Sequence, residues 1–203
     1  IVDSHCHLNF PQFKDNLDKV VNRAVEKGVY RMLTISTKLS EIDNLENISK
    51  SYSQVYNSVG IHPHECKNYK DLSLEDLLKY TKNSKCVGIG ETGLDFYYEN
   101  SPKELQSKLF RIHIEASRKS NLPLIVHTRN ADDETIEILE QEMEKGKFNG
   151  LIHCFSTSKK LAEKGIKHIE IKLGPSVEAR NGFTRRTLFK LLNLDRGGME
   201  SCI

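Results

Sequence analysis

The sequence predicts an α/β protein, a (β/α)8 barrel of the TIM type whose eighth unit is incomplete. Short apolar runs typical of buried strands alternate with amphipathic helical patterns along most of the chain. Repeated β-α units require a parallel sheet with right-handed crossovers. Seven or eight such units favour a closed barrel over a doubly wound open sheet, in which a glycine-rich loop would usually follow the first strand.

Seven apolar runs are the strand candidates. They are residues 1–2, 31–36, 55–61, 86–90, 122–126, 150–152 and 168–173. No linker, internal repeat or low-complexity tract interrupts them, so residues 1–203 are expected to form one domain.

Helix boundaries are legible in the first half of the chain. Asp15 is expected to cap a helix that Gly28 ends, and Ser73 is expected to begin another. The first of these helices carries an apolar stripe of Leu17, Val20, Val21, Ala24 and Val25, and the second buries Leu74, Leu77 and Leu78.

Two more helices are predicted further along. The Ser-Pro-Lys-Glu sequence at 101–104 is typical of a capping box with proline at the first helical position. Asp132 opens the other helix, which ends near Gly146. The helix after the capping box is expected to bury Leu105, Leu109, Ile112 and Ala116.

The amino-acid composition, with 37% hydrophobic and 29% charged residues, is typical of an ordinary globular protein. The formal net charge of +2 argues against a protein that coats nucleic acid.

Five cysteines without a Cys-x-x-Cys pair do not indicate a disulfide framework, which favours a reducing, cytoplasmic location. Neither a signal peptide nor a membrane span of about 20 apolar residues is expected. No obligate protein partner is evident.

His5 and His7 follow the first strand candidate. Side chains alternate faces along an extended strand, so two imidazoles two residues apart can bind one metal ion while Cys6 faces away. Such a pair is often incidental by itself, so its meaning depends on further ligands at the ends of other strands.

Residues of metal-binding types also follow four later strand candidates. They are His62 with His64, Glu91, His127 and His153. The carboxyl ends of barrel strands share one rim, where active sites form. His127 and His153 could be ordinary core histidines, and His62 and His64 could lie in a solvated loop. An unpaired carboxylate after a buried strand is costly, however, so Glu91 needs a cation, and the combined pattern favours a metal centre.

A mixed set of histidine and carboxylate ligands suits Zn²⁺, Mn²⁺ or Fe²⁺ and can accept Mg²⁺. The candidate ligands number five, more than the three protein groups of a typical catalytic zinc site; they are His5, His7, Glu91, His127 and His153. Two ions that share Glu91 are therefore expected.

Five stretches together resemble the TatD family of metal-dependent deoxyribonucleases, a branch of the amidohydrolase-like enzymes. They are residues 3–8 (DSHCHL), 59–64 (VGIHPH), 88–95 (GIGETGLD), 123–129 (PLIVHTR) and 152–156 (IHCFS). In this order the set is highly specific, and it covers roughly residues 1–165.

The resemblance implies a (β/α)8 fold and hydrolysis of phosphodiester bonds in DNA with two divalent ions, Mg, Mn or Zn, and Glu91 as catalytic residue. It implies that His5, His7 and Glu91 hold one ion. It also implies that Glu91, His127 and His153 hold the other. By the same resemblance, His62, His64 and Arg129 meet the substrate phosphate.

The chain departs from the family pattern at its end. Cys202 stands about where the family carries an aspartate that binds metal and serves as general base. A thiolate can bind zinc there but is a poor substitute for that base. The chain is therefore expected to be a C-terminally truncated or degenerate member.

For an intact site the expected activity is two-metal hydrolysis of DNA, as an exonuclease. Two alternatives remain open at this point. One is an amidohydrolase that acts on a small amide, ester or lactone, and the other is an inactive remnant that binds metal or DNA.

Overall fold

The part of the chain that the structure describes contains seven parallel strands in one sheet, in the same order as in the chain. The structure, a computed structural model, describes residues 1–155, residue 161 and residues 170–173. The strands are β1 (Val2–Cys6), β2 (Arg31–Thr34), β3 (Val55–Val59), β4 (Cys86–Asp95), β5 (Leu124–Arg129), β6 (Gly150–Phe155) and β7 (Glu170–Leu173). The helices found within these residues are α1 (Leu17–Glu26), α2 (Ile42–Ser51), α3 (Leu74–Leu78), α4 (Lys103–Ser120) and α5 (Asp132–Lys145).

The sheet is strongly curled. Neighbouring strands lie about 4.8 Å apart, so β1 and β6 would be about 24 Å apart in a flat sheet. The ring centroids of His5 on β1 and His153 on β6 are nevertheless 4.1 Å apart. Side chains from the first six strands also meet inside the curl: Val2, Leu33, Tyr56, Val87, Ile125 and Leu151. This architecture confirms the predicted barrel class, and the predicted eighth unit lies outside the described residues.

The helices cover the outer face of the sheet. Leu109, Phe110 and Ile114 of α4 are fully buried in the largest apolar cluster, which joins the helices to the strands. In a separate apolar cluster, Val21 of α1 packs with Met32 of β2. No helix of the described part is long and apolar enough to span a membrane.

Strand β4 is longer than the predicted strand, which stopped at residue 90. It continues to Asp95, and all ten of its residues are buried. Its pairing with β5 is irregular between Ile89 and Thr92, and Gly93 has a φ of +135°. A side chain at Gly93 would collide with the carbonyl oxygen of His127, so glycine permits the close approach. As a result, Glu91 and Asp95 lie on the same strand.

Two of the predicted helix caps are wrong. Helix α1 begins after Asn16, and no side chain caps it, because Asp15 lies in the preceding turn. At α4, the Ser101 hydroxyl instead accepts the backbone N–H of Lys67 and donates to the carbonyl of His64. The Ser101 hydroxyl thus makes tertiary hydrogen bonds and does not cap the helix in the way that the local sequence predicted. By contrast, Ser73 begins α3 as predicted, in a capping box with Asp76.

The buried face of α4 differs from the predicted apolar stripe. Leu109 and Ala116 are buried as expected, whereas Leu105 and Ile112 are only partly buried against the core. The polar residues Gln106 and His113 are fully buried instead. Both make hydrogen bonds inside the molecule, which an apolar pattern does not reveal.

Candidate metal centre

Glu91 is the centre of a cluster of imidazoles at the carboxyl ends of the strands. Its side chain is 4% exposed. Its Oε2 atom lies 3.3 Å from His5 Nε2 of β1, and its Oε1 atom lies 3.1 Å from His127 Nδ1 of β5. His153 Nε2 of β6 also contacts Oε1. His62 Nε2 lies further away, 3.9 Å from the same oxygen.

Backbone hydrogen bonds near this rim position Glu91 and His62. The N–H of Glu91 donates to the carbonyl of Ser36, 3.1 Å away, just beyond the end of β2. The N–H of His62 donates to the carbonyl of Thr37 at 2.8 Å. The loop after β2 therefore ties both residues to the same edge of the sheet.

The ligand atoms form two groups that share Glu91. One group contains His5, Glu91 and His153, and the other contains His62, Glu91 and His127. Within each group the ligand atoms lie within 4.8 Å of one another. Four strands and one strand-end loop thus bring five candidate ligands to one place, and one carboxylate lies between two sets of imidazoles.

His7 stands outside both groups, although the sequence paired it with His5. Strand β1 ends at Cys6, so the alternation of an extended strand no longer governs the direction of His7. Its ring stacks on Phe10, with centroids 4.6 Å apart, and lies 5.2 Å from the His5 ring. His62 was expected to contact substrate instead, but it belongs to the second group.

The electrostatics of the cluster are dominated by burial and by Glu91. Burial would raise the pKa of Glu91, but hydrogen bonds from His127, His153 and His5 hold that pKa well below its usual value. Burial lowers the pKa of His5 and lowers the pKa of His62 to about 3, each against the attraction of Glu91. The Nδ1 atom of His62 accepts the backbone N–H of His64 at 3.2 Å, so the neutral ring carries its proton on Nε2, the nitrogen that faces Glu91.

The residues present fit divalent cations. Neutral imidazoles and one ionised carboxylate are the ligands that Zn²⁺ and Mn²⁺ accept. In addition, His5 Nδ1 and His7 Nδ1 are buried without a hydrogen-bond partner among the described residues. Buried polar atoms normally have partners, and His7, whose ring lies beside that of His5, has a ring nitrogen that the described residues do not satisfy.

Asp95 is a second buried carboxylate that the sequence analysis quoted within a motif but gave no role. It is 1% exposed. Its Oδ2 atom lies 2.9 Å from His64 Nε2 and 3.0 Å from His127 Nε2. Burial would raise the pKa of Asp95, but backbone N–H donation from Tyr98, together with His64 and His127, lowers it. Asp95 was missed in the sequence because the predicted strand stopped at residue 90, whereas β4 continues to Asp95.

Gln106 holds the backbone of Asp95 in place. Its Oε1 atom accepts the Asp95 N–H at 2.8 Å, and its Nε2 atom donates to the Asp95 carbonyl at 3.1 Å. The same Nε2 donates to the Ser101 carbonyl at 2.8 Å. Asp95 is thus anchored to α4 as well as to the sheet.

His64 and Arg129, both predicted to meet substrate, lie on the outer side of the cluster. The His64 ring centroid is 4.5 Å from that of His62 and 5.3 Å from that of Tyr98. The guanidinium carbon of Arg129 lies 4.3 Å from the Tyr97 ring centroid and 4.7 Å from the Tyr98 ring centroid.

Cys6, Cys66 and Cys86 are poor candidates for thiolate metal ligands. All three are free thiols. Burial raises the pKa of Cys66 and of Cys86 to about 12, so both stay protonated. Cys202, the doubtful sixth position, lies outside the described residues.

Comparison with known proteins places this geometry in a family. The model of the TatD related DNase family matches residues 2–201, which is further than the 165 residues that the motifs suggested. The chain is 36% identical over 179 residues to the metal-dependent hydrolase BU355 of Buchnera aphidicola subsp. Acyrthosiphon pisum, covering 82% of this chain and 67% of that protein. It is 27% identical over 196 residues to the 3'-5' ssDNA/RNA exonuclease TatD of Shigella flexneri, covering 96% and 75% respectively.

The fold agrees with a solved structure from the same family. The crystal structure of YJJV, a TatD homologue from Escherichia coli K12, matches with a TM-score of 0.76 and 26% identity. The match covers 84% of this chain and 66% of YJJV. The chain therefore spans about two thirds of the length of the Buchnera relative and of YJJV.

Proposed function

The chain belongs to the family of TatD-related DNases, and we propose that it is a divalent-metal-dependent hydrolase that cleaves phosphodiester bonds of DNA as an exonuclease. The observation that carries this proposal is the convergence of His5, His62, His127 and His153 on the buried Glu91. The name of the Shigella relative supports the exonuclease assignment, which we extend to this chain.

Two divalent ions, Mg, Mn or Zn, would be held by the two groups that share Glu91. His7 is the remaining candidate ligand, beside His5. When bound, such ions polarise a phosphoryl oxygen and lower the pKa of bound water from about 15.7 towards about 7.

The protein's own contribution is to orient the ligands. The carboxylates of Glu91 and Asp95, against the effect of burial, raise the pKa of His127, whose Nδ1 lies 3.1 Å from Glu91 Oε1 and whose Nε2 lies 3.0 Å from Asp95 Oδ2. With an ion bound, the Nε2–H donated to Asp95 would leave the Nδ1 lone pair of His127 for the ion. The same carboxylate oxygen holds His64 Nε2. His64 and Arg129, on the outer side of the cluster, are the residues that would contact the phosphate backbone of DNA, and such contacts position a strand without reading its bases.

Hydrolysis of an end-labelled single-stranded oligonucleotide with Mn²⁺, Mg²⁺ or Zn²⁺ tests this proposal. We expect shortening of the strand from one end. Replacing the shared ligand in Glu91→Gln should lower the rate by roughly a hundredfold or more, since losing a single preorganised group in an active site has effects of this size. Glu144→Gln, at an exposed position of α5, is the matched control and should leave the rate unchanged.

Two results would overturn the assignment. One is hydrolysis of small lactones or esters under the same conditions without cleavage of DNA, which indicates the amidohydrolase alternative. The other is the absence of hydrolysis of any of these substrates by a protein that still binds the ions, which indicates a metal-binding remnant.

A further inference from the structure

Two neighbouring tyrosines are exposed beside the metal centre. Tyr97 is 56% exposed and Tyr98 is 51% exposed. The other exposed large hydrophobic side chains of the described residues are Ile1, Val25 and Tyr30. Isolated exposed apolar residues are ordinary, but an adjacent aromatic pair at the edge of a candidate active site calls for a ligand.

Positively charged side chains lie against the aromatic rings of this segment. The guanidinium of Arg129 lies against both rings, within 4.3 Å of the Tyr97 centroid and 4.7 Å of the Tyr98 centroid. The Lys103 ammonium lies 4.5 Å from the ring centroid of Phe96, the preceding residue. We call Tyr97, Tyr98 and Arg129 the rim platform. It combines flat apolar surfaces with positive charge.

The rim platform is fixed to the metal centre through Asp95. The Oδ1 atom of Asp95 accepts the backbone N–H groups of Tyr97 and Tyr98, both at 3.1 Å, while its Oδ2 atom faces His64 and His127. The N–H of Phe96 donates to the carbonyl of Arg129 at 2.9 Å, which joins the ends of β4 and β5. One carboxylate therefore sets the spacing between the platform and the imidazole cluster.

We propose that the rim platform is a base-stacking subsite for single-stranded nucleic acid. The two tyrosine rings are nearly perpendicular, at 88°, so an unpaired base stacks on one of them, and Arg129 meets the adjoining phosphate. Grooves that bind single strands combine these two features, because every base has a flat face and every linkage has a charge. A base inside a duplex has both faces covered by its neighbours, so the platform favours an unpaired strand. The inference rests on the proposed nuclease function and adds to it the residues that would hold an unpaired base.

Binding of a cleavage-resistant, phosphorothioate-linked thymidine strand in the presence of Mn²⁺ tests the subsite. We expect the double variant Tyr97→Ala/Tyr98→Ala to bind the strand about ten- to a hundredfold more weakly, the range for one stacked base. An abasic strand of equal length should bind wild-type protein and this variant equally weakly. A ribose strand with bases should behave like the DNA strand, since stacking does not sense the sugar.

Two variants serve as controls. Tyr97→Phe/Tyr98→Phe keeps the flat rings and should bind like the wild type. Tyr30→Ala removes a tyrosine that is 42% exposed just before β2, at the amino ends of the strands, and should also bind like the wild type.

Three results would overturn the subsite. They are equal weakening for the strands with and without bases, failure of the phenylalanine variant to restore binding, and tighter binding of duplex than of single strand. The failure of the proposed function has a different signature. In that case no strand with ordinary linkages is cut in Mn²⁺, whatever happens to base-dependent binding.

Discussion

Glu91 is a buried carboxylate whose charge depends on imidazoles. Taking an ion of this kind out of water costs several kcal/mol unless partners compensate for it. His5, His127 and His153 approach it from three different strands. Imidazoles that donate protons to a carboxylate can also offer lone pairs to a cation, so divalent ions can replace the protons that connect this cluster.

Asp95 acts on the site through the ring of His127. In Asp95→Asn, the side-chain oxygen can still accept from the N–H groups of Tyr97 and Tyr98, but the amide nitrogen donates towards His127. That donation favours the opposite tautomer, which turns an N–H towards Glu91. We expect affinity for divalent ions to fall about 10–100-fold, the usual effect of losing such a supporting contact. Isothermal titration with Mn²⁺ or Zn²⁺ measures it.

The tautomer itself provides the sharper readout for Asp95. Nitrogen NMR of the imidazoles should show His127 protonated on Nε2 in the ion-loaded wild type and on Nδ1 in the variant. Asp71→Asn, at an exposed position, is the matched control. If the His127 tautomer and the ion affinity are both unchanged in Asp95→Asn, Asp95 positions only the backbone of Tyr97 and Tyr98 and does not act on His127.

Helix α4 supports the site from behind with two buried polar side chains. Gln106 and His113 are seven residues apart, so they lie on the same face, two turns from each other. Gln106 holds Asp95 at the end of β4. His113 Nε2 accepts the backbone N–H of Ile61, just after β3, at 3.0 Å, and its Nδ1–H donates to the carbonyl of Leu109 at 2.7 Å.

The contact between α4 and the end of β3 should depend on pH. Burial lowers the pKa of His113 from 6.5 to about 4. Between these values the unfolded chain binds a proton that the folded chain does not bind, so the free energy of unfolding falls as pH falls. The contribution is complete above about pH 6.5, and about 3 kcal/mol is lost by pH 4. Denaturant unfolding between pH 4 and 7.5 measures this dependence.

His113→Gln isolates that contribution from other groups that titrate in the same range. Glutamine can accept from Ile61 and donate to Leu109 but does not ionise. The difference in unfolding free energy between wild type and variant should therefore shrink or reverse in favour of the variant towards pH 4. Parallel pH profiles for the two proteins would contradict the role of His113.

Sequence patterns predicted whole elements better than their ends. Strand starts at 31, 55, 86 and 150 match β2, β3, β4 and β6, because apolar β-branched runs mark burial directly. The extension of β4 was missed, since it depends on glycines that let two backbones approach. The predicted cap at Ser101 and the predicted apolar stripe of α4 were wrong for a related reason. Polar side chains there hydrogen-bond residues far away in the sequence, which local sequence patterns do not indicate.

At the level of the whole molecule, the barrel topology explains why distant residues meet. Parallel strands place all their carboxyl ends at one rim, and the curl of the sheet then brings the His5 ring of β1 against the His153 ring of β6. These rules predicted the meeting of His5, Glu91, His127 and His153. They could not predict that His62 would approach Glu91 while His7 turned towards Phe10, because both histidines lie beyond strand ends, where loop geometry decides.

Metal content per chain tests the central claim most directly. Wild-type protein, loaded with Mn²⁺ or Zn²⁺ and then desalted, should retain two ions per chain by inductively coupled plasma mass spectrometry. His127→Ala should retain one, and Glu91→Gln, which removes the shared ligand, should lose both, with Glu144→Gln unchanged as the control. Wild-type stoichiometry and affinity in both site variants would contradict a metal centre built around Glu91.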